Sequence, residues 1–374
     1  MGFLRFYLAI CVVHAHTGNL FPWPSVQGRY AVEMFFVISG FYMAMILSQK
    51  YTNIKDFYGS RWERIAIPYY FHFVFILLLS LISGILFSKW LALEAFAGNP
   101  LSHNGLIGII LTSISNLTIF GQDAVLFFKD NIETGFQFTT NFTVSPEPLY
   151  RYLIIPQCWS VSLELLFYIL VPLLCGLPSR WLGLILLSSF LARIFAFQFI
   201  GLNNDPWFYR FFPFESTLFI AGMLIWRLLK RVMPHLPKSG KCPAILYIAG
   251  CCCMMLLGFY FPTASWKLGW HIGEAYSGIA LILLFAPCIA PIFYMTRNMK
   301  FDRVIGELSY PIYLNHLIII ITLRSFPQLK SYEYMFGWIT AILSISFAFT
   351  FWYFCSRKMD AKRHQKFHAV KLSV

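Results

Sequence analysis

The chain has 374 residues, of which 58% are hydrophobic, 19% aromatic and only 12% charged. So little polar surface excludes a soluble globular protein and indicates an integral membrane protein. The formal net charge of +13 is concentrated in connections and in the tail, where topology and anionic lipid explain it, so a nucleic-acid partner is not expected. The nine cysteines lie almost wholly in apolar segments, which indicates packing and predicts no metal site.

Apolar runs of about 20 residues, the length with which a helix crosses a bilayer, recur along the whole chain. The candidate spans are residues 3–20, 31–48, 67–88, 105–121, 157–175, 181–201, 211–228, 243–261, 271–292, 305–324 and 335–355. This pattern predicts an all-α integral membrane protein. No repeat or appended soluble domain interrupts it, so we expect one membrane-embedded domain over residues 1–374.

The candidate spans do not all cross the membrane. If they did, the basic connection 229–242 would lie outside the cell, against the positive-inside rule. Segment 105–121 is the weakest candidate, because it is short and rich in Ser, Thr and Asn, and a re-entrant or interfacial segment is permitted where protein covers it. We therefore predict about ten transmembrane helices plus this one, with both termini cytoplasmic, the connection 122–156 outside and a basic tail, 356–374, inside.

The first apolar segment carries Arg5 and His16, eleven residues apart. Eleven residues make about three helical turns, so both lie on one face, about 16 Å apart along the axis. Ionisable groups in an apolar span are costly and are retained mainly where they line a cavity, pair with another group or do chemistry. A structural alternative stays open, in which Arg5 extends to the membrane surface and His16 is hydrogen-bonded in the core.

The second segment contains Glu33 near its outer end and the small pair Ser39 and Gly40. On the residues alone, Ser39 and Gly40 indicate close helix packing. Glu33 either binds hydroxyl groups of a substrate or lies at the membrane interface. The following connection places Arg61 and Arg64 about one helical turn apart at a membrane mouth. The positive-inside rule alone explains one or two positive charges at this position. Paired guanidinium groups are, however, also well suited to binding phosphate groups.

Two later segments carry further polar side chains within apolar runs. Trp159, Ser160 and Glu164 open one of them, and a carboxylate there needs a partner or a proton. We place Glu164 about 10 Å and His16 about 6 Å below the outer ends of their helices, which are similar depths. In the segment 305–324, Ser309, Tyr313 and His316 share a helix face. A structural hydrogen-bonding face explains them as well as a catalytic one does.

These motifs together resemble the membrane acyltransferase 3 family. The resemblance rests on the Arg5 to His16 spacing, Phe-Phe-Val-Ile-Ser-Gly-Phe from residue 35, Arg-x-x-Arg-x-x-x-Pro-Tyr from residue 61, Trp-Ser-x-x-x-Glu-x-x-Phe-Tyr from residue 159, and Ser-Tyr-x-x-Tyr-Leu-x-His from residue 309. It runs from residue 4 to about 355. It implies a multi-pass enzyme of the inner (plasma) membrane that transfers an acyl group, usually acetyl, to a hydroxyl of a carbohydrate or glycolipid, such as the O-antigen of lipopolysaccharide or an exopolysaccharide.

The resemblance implies acyl-CoA as the donor substrate and no tightly bound cofactor. Arg61, Arg64 and Tyr69 would bind the donor at a cytoplasmic mouth, with Arg5 nearby. His16 would act as general base, with Glu164 fixing its tautomer, or it would carry the acyl group itself. The residues expected to bind the acceptor or to support the site are Glu33, Ser39, Trp159, Ser160, Arg210, Glu215, Tyr313 and His316.

A transporter or flippase for a glycan intermediate is the alternative from another functional class. In it, Arg193, His16 and Glu164 would form a proton or substrate path. Transporters commonly have two related halves with interrupted helices, and the sequence has no such internal symmetry. The arginine pair at 61 and 64 would also have no role in a transporter. The sequence therefore favours the enzyme.

Overall fold

The computed structural model describes residues 1–18, 20–21, 25–51, 53–97, 105–232, 234, 282, 286–326 and 334–366. Its helices are α1 Gly2–Thr17, α2 Gly28–Gln49, α3 Ile54–Phe87, α4 Glu94–Ala97, α5 Leu106–Thr118, α6 Trp159–Gly176, α7 Ser179–Phe195, α8 Phe212–Val232, α9 Ile289–Thr296, α10 Lys300–Ser325, α11 Phe336–Phe351 and α12 Arg357–Lys366. Strands β1 Phe128–Asn131 and β2 Gly135–Phe138 form one antiparallel hairpin. One turn of π-helix extends α7, over Ala196–Ile200, and another joins α11 to α12, over Trp352–Ser356.

Seven helices in the described part of the chain are long and apolar enough to cross a membrane. They are Gly28–Gln49, Ile54–Phe87, Pro156–Gly176, Ser179–Ile200, Phe212–Val232, Lys300–Ser325 and Phe336–Asp360. The protein is therefore a helical multi-pass membrane protein, as the composition predicts. The predicted number of ten stays a prediction, because span 243–261 and most of 271–292 lie outside the described residues, and α1 has only 16 residues.

The centre of the bundle contains two close helix pairs. Helix α2 packs along α8 and α1 packs along α10, and glycines lie where the backbones meet. A Cβ added at Gly40 would lie 2.7 Å from the carbonyl carbon of Phe219, and one added at Gly306 would lie 2.6 Å from the Cα of Gly2. Small residues allow this approach. The packing role predicted for Gly40 is therefore confirmed.

Helix α3 begins earlier than the sequence predicts. Residues 49–66 were expected to form a connection, but α3 begins at Ile54, where the Asn53 side chain accepts a hydrogen bond from the Lys55 backbone. The helix has 34 residues, about 51 Å at 1.5 Å per residue, which is longer than a bilayer core of roughly 30 Å. The span was underestimated because a search for apolar runs stops at the first charged turn. Arg61 and Arg64 are consequently held on a rigid helix.

Helix α5 and the segment after it double back on themselves. Gly108, near the start of α5, donates its backbone N–H to Asp130 at 2.6 Å. At the other end, the Asn116 side chain donates to the Tyr152 carbonyl at 2.8 Å. Because residues 108 and 130 are in contact, the chain after α5 returns to the depth in the bundle at which α5 begins. With 13 residues, α5 is also shorter than a spanning helix. Both facts agree with a re-entrant segment, whose place in a bilayer stays a prediction.

Candidate functional site

A cavity of about 1360 Å³ lies inside the bundle. It opens at the end of the bundle that contains the start of α1, the end of α2 and the start of α3, which we call the basic end; the opposite end is the far end. Its charged lining residues within the described chain are Arg5, Lys50, Arg61, Glu63, Arg64, Glu164, Arg297, Asp302, Arg303, Glu307, Arg357, Asp360 and Arg363. Basic residues outnumber acidic ones, so the cavity suits an anionic ligand. It exceeds the roughly 300–1,000 Å³ of ordinary small-molecule pockets.

Two arginines of α3, Arg61 and Arg64, line this mouth and differ in their hydrogen bonding. The Arg64 guanidinium donates to Glu307 of α10 at 2.9 Å. Arg61 is only 6% exposed, and its Nε has no hydrogen-bond partner among the described residues. Burial, together with the positive charges of Arg61, Arg363 and Arg64, lowers the pKa of Lys50 at the end of α2 to about 8. The mouth therefore has a positive potential and a buried guanidinium group available to an anion.

Glu164, on α6, lines the cavity. Its Oε1 accepts hydrogen bonds from the Ser39 hydroxyl at 2.7 Å and from the Tyr168 hydroxyl at 2.5 Å. Arg5 of α1 and Arg61 of α3 line the same cavity. Ser39, Glu164, Arg5 and the arginine pair are thus brought together, as residues of one internal chamber.

The cavity ends beside Ser160 and Tyr313, which belong to α6 and α10. Their hydroxyl oxygens lie 2.8 Å apart, and the Tyr313 hydroxyl donates to the Gln157 carbonyl at 2.8 Å. The Gln157 side chain in turn donates hydrogen bonds to the carbonyl oxygens of Tyr313 and Leu314, at 3.1 and 2.9 Å. Helix α10 is therefore fixed to the start of α6 at the point where the cavity closes.

Two histidines lie directly beyond this closure. The ring of His316 is 5.8 Å from the Tyr313 ring and 5.3 Å from the ring of His16, measured between centroids. His316 is fully buried, whereas His16 is exposed. His16 is the penultimate residue of α1, which ends because Gly18 adopts φ 80° and donates its N–H to the His14 carbonyl. An imidazole at a helix end that is open to the surface is accessible to a molecule from the far side.

His14 has a structural environment instead. Its Nδ1 accepts the backbone N–H groups of Leu20 and Phe21, each at 3.3 Å. An imidazole nitrogen that accepts carries no hydrogen, so His14 is a neutral ring that anchors the chain after α1.

Comparison with known proteins agrees with this geometry. The family model described as "Acyltransferase domain", that of acyltransferase family 3, matches residues 1–357. The chain belongs to the acyltransferase 3 family. An uncharacterized protein of Aquifex aeolicus (strain VF5) is 26% identical over 167 residues, which is 44% of this chain and 69% of that protein. No solved structure matches this sequence.

One predicted contact of the acyltransferase is wrong. Glu164 was expected to meet His16 at matched depth, but its carboxylate is held by Ser39 and Tyr168, and the ring that faces His16 is His316. The reason is that Gly18 ends α1 three residues before the predicted limit at residue 20, which places His16 at the end of its helix. Glu164 meanwhile lies more than one turn inside α6.

Arg210 and Trp159 lie near the far end of the acyltransferase. Arg210 makes a two-pronged ion pair with Asp205, at 2.7 and 3.0 Å, and its guanidinium stacks 4.4 Å from the Trp159 ring. The positive charge of Arg210 interacts electrostatically with His16. Arg324 also donates a hydrogen bond to the His16 backbone oxygen at 3.3 Å. These contacts form a rim of aromatic and cationic side chains near His16.

Glu33 and Glu215 do not lie at this rim. Both are completely buried. Glu215 pairs with Arg193, and Glu33 lies 3.5 Å from the Nε of Arg29. A buried carboxylate in a membrane protein needs such a cation. The expectation that these two glutamates contact an acceptor at the surface is therefore corrected: they belong to a charged cluster that joins α2, α7 and α8.

Tyr69 also has a different position from the predicted one. It is fully buried, its hydroxyl donates to the Asn116 carbonyl at 2.7 Å, and it accepts from the Gln122 side chain at 2.9 Å. It is not among the lining residues of the cavity. Tyr69 therefore fastens α5 and the residues after it to α3. Local patterns could not indicate this contact, because Asn116 and Gln122 lie 47 and 53 residues away in the sequence.

Sequence analysis missed three residues of the site. Tyr168 lies one turn after Glu164, at the end of the motif that begins at Trp159, and was not predicted as a site residue. Lys50 and Arg363 were counted as membrane-topology charges, although both line the cavity. Arg363, on α12, pairs with Asp360 at 2.6 Å. A sequence signal exists only for Tyr168, whose spacing of four from Glu164 places both on one helix face.

Proposed function

We propose that this acyltransferase moves an acyl group, in the simplest case acetyl, from cytoplasmic acyl-CoA to a hydroxyl of a cell-surface or secreted carbohydrate or glycolipid. The supporting observation is a large cavity, lined by described residues, that is basic at its mouth and ends beside two histidines. The basic end would face the cytoplasm of the plasma membrane, consistent with the positive-inside rule. The far end would face the acceptor.

The donor would bind with its phosphates at the mouth. Arg61 supplies a buried guanidinium whose Nε has no partner in the described part of the chain, and Lys50 and Arg363 add positive charge. The acyl thioester would extend along the chamber past Glu164 toward Ser160 and Tyr313. The length of the cavity is thus used to carry the acyl group from one side of the bundle to the other.

His16 would be the catalytic residue, since it is the exposed imidazole at the far end. In direct transfer, the acceptor oxygen attacks the thioester carbonyl and His16 takes the hydroxyl proton. The carbon–sulfur bond then breaks, and the proton passes from His16 to the thiolate of coenzyme A. An ester and a free thiol result, so no oxidant, reductant or metal is needed. The aromatic and cationic rim at Trp159 and Arg210 would orient the acceptor.

The test uses the full-length protein in lipid nanodiscs with radiolabelled acetyl-CoA and a glycolipid extract of the host membrane. We expect label to enter the glycolipid with release of free thiol. His16→Ala should lower the rate by roughly 10²- to 10⁴-fold, the usual contribution of a general base. The matched control is His14→Asn, whose side-chain oxygen can still accept from Leu20 and Phe21. Absence of label transfer and of thiol release by the wild-type protein would refute the proposal.

A further inference from the structure

His316 has one ring nitrogen whose state is fixed by its contacts. Its Nδ1 lies 2.8 Å from the carbonyl oxygen of Tyr313. A carbonyl oxygen only accepts, so Nδ1 carries the hydrogen, and in the neutral ring Nε2 is left as a lone pair. This Nε2 is buried and has no hydrogen-bond partner among the described residues. A buried acceptor left without a donor is costly, so it calls for an explanation.

The ring of His16 lies close to the ring of His316. The two rings are 5.3 Å apart between centroids and inclined by 38°. His316 is completely buried and fixed, while His16 is exposed at the end of α1. An exposed side chain rotates on a timescale of picoseconds to nanoseconds. At this separation we expect a rotation of the His16 ring to bring an N–H group toward Nε2 of His316.

We propose that His316 is the positioning residue of His16, and that its Nε2 accepts a hydrogen bond from one ring nitrogen of His16. That bond leaves the other nitrogen of His16 as a lone pair directed to the acceptor hydroxyl. The inference rests on the proposed function and assigns to His316 the part that the sequence assigned to Glu164. When His16 takes the proton, its N–H becomes a stronger donor and the bond to His316 stabilises the imidazolium, as an orienting carboxylate does in other histidine-dependent acyl transfers.

A purely structural role for His316 makes the opposite prediction for two variants. His316→Asn places an amide near Nδ1, so it keeps a donor for the Tyr313 carbonyl and loses the acceptor at Nε2. His316→Gln places its amide near Nε2, so it keeps an acceptor for His16 and loses the donor to Tyr313. If the contact with Tyr313 is all that matters, the Asn variant is the more active. If His316 orients His16, the Gln variant is.

The experiment measures kcat and KM for acetyl-CoA with the full-length protein in nanodiscs, using free-thiol release with the membrane glycolipid extract as acceptor. We expect kcat to fall by roughly 10²- to 10⁴-fold in His316→Asn and by a smaller factor in His316→Gln, with KM within about threefold of the wild type in both. Equal or greater activity of the Asn variant would overturn the inference.

A double variant gives a second measurement that does not depend on this ranking. Residues that act as one unit are not additive. Adding His316→Asn to His16→Ala should therefore change the residual rate by less than about threefold, whereas independent roles would multiply the two losses. Full additivity would overturn the inference. Failure of the wild-type protein to release thiol at all would instead refute the proposed function, so the two failures are distinguishable.

Discussion

Replacement of Arg61 by lysine separates charge from geometry at the mouth of the cavity. Arg61 is 6% exposed and has an unpartnered Nε, whereas Arg64 already donates to Glu307 at 2.9 Å. A hydrogen bond to a charged group contributes about 1.5 to 3 kcal/mol. Loss of one such bond to a donor phosphate corresponds to a rise of about 10- to 150-fold in the dissociation constant, since about 1.4 kcal/mol is a factor of ten.

Lysine keeps the charge of Arg61 but not its planar fork of donors. We therefore expect Arg61→Lys to raise the dissociation constant for coenzyme A by at least tenfold, while Arg64→Lys, whose ammonium group can still pair with Glu307, has a smaller effect. Isothermal titration of the detergent-solubilised protein with coenzyme A measures both. Arg180→Lys is the matched control, because Arg180 is exposed at the start of α7 and is absent from the cavity lining.

The result that would refute this reasoning is specific. If Arg61→Lys binds coenzyme A as the wild type does, Arg61 serves membrane topology alone and the donor phosphates bind elsewhere. A loss of binding in Arg180→Lys of the same size would show that the titration reports general surface charge. Thermal unfolding of each variant distinguishes weakened binding from a destabilised fold.

Three further predictions follow from particular contacts. Gly40→Ala should destabilise the fold by about 1 to 3 kcal/mol through overpacking, measured by thermal unfolding, while Gly183→Ala, with open space around the added Cβ, should not; equal effects would refute the close contact of α2 and α8. Glu164→Gln should alter KM for acetyl-CoA more than kcat, because the carboxylate lines the donor cavity and does not touch His16; a selective loss of kcat would restore the paired role. A cysteine at Glu133 in a Cys-depleted background should react with an impermeant maleimide in intact cells and one at Lys358 should not; the reverse pattern would invert the predicted orientation.

The sequence predicted the helical class and most helix positions because both depend on local hydrophobicity. It missed the early start of α3, since the turns around Arg61 are helical but not apolar. It also placed the end of α1 too late, because a single Gly18 in the left-handed region ends that helix. An error of three residues changes helix depth by about 4.5 Å, so the matched depth predicted for His16 and Glu164 does not hold.

For the site as well, the sequence predicted which residues take part but not which partners they contact. Arg5, Ser39, Ser160 and Tyr313 were identified from motifs, and the structure brings them to one cavity. Motif spacing could not show which partner each residue meets, because the contacts join helices far apart in the sequence, such as His16 with His316. Residue type alone therefore placed Glu33 either at the acceptor or at the membrane interface, although its burial follows only from packing between helices.

The position of Tyr313 links the two halves of the proposed reaction. Its hydroxyl closes the donor cavity through Ser160 and the Gln157 carbonyl, and its backbone carbonyl fixes the tautomer of His316. A water-filled path across the bundle would expose the thioester to hydrolysis, so some closure between donor and acceptor is required. Because the same residue forms that closure and contacts the histidine, a movement of α10 that admitted the acyl group in the proposed reaction would also move His316. Opening of the cavity and alignment of His16 would then be coupled through one turn of helix.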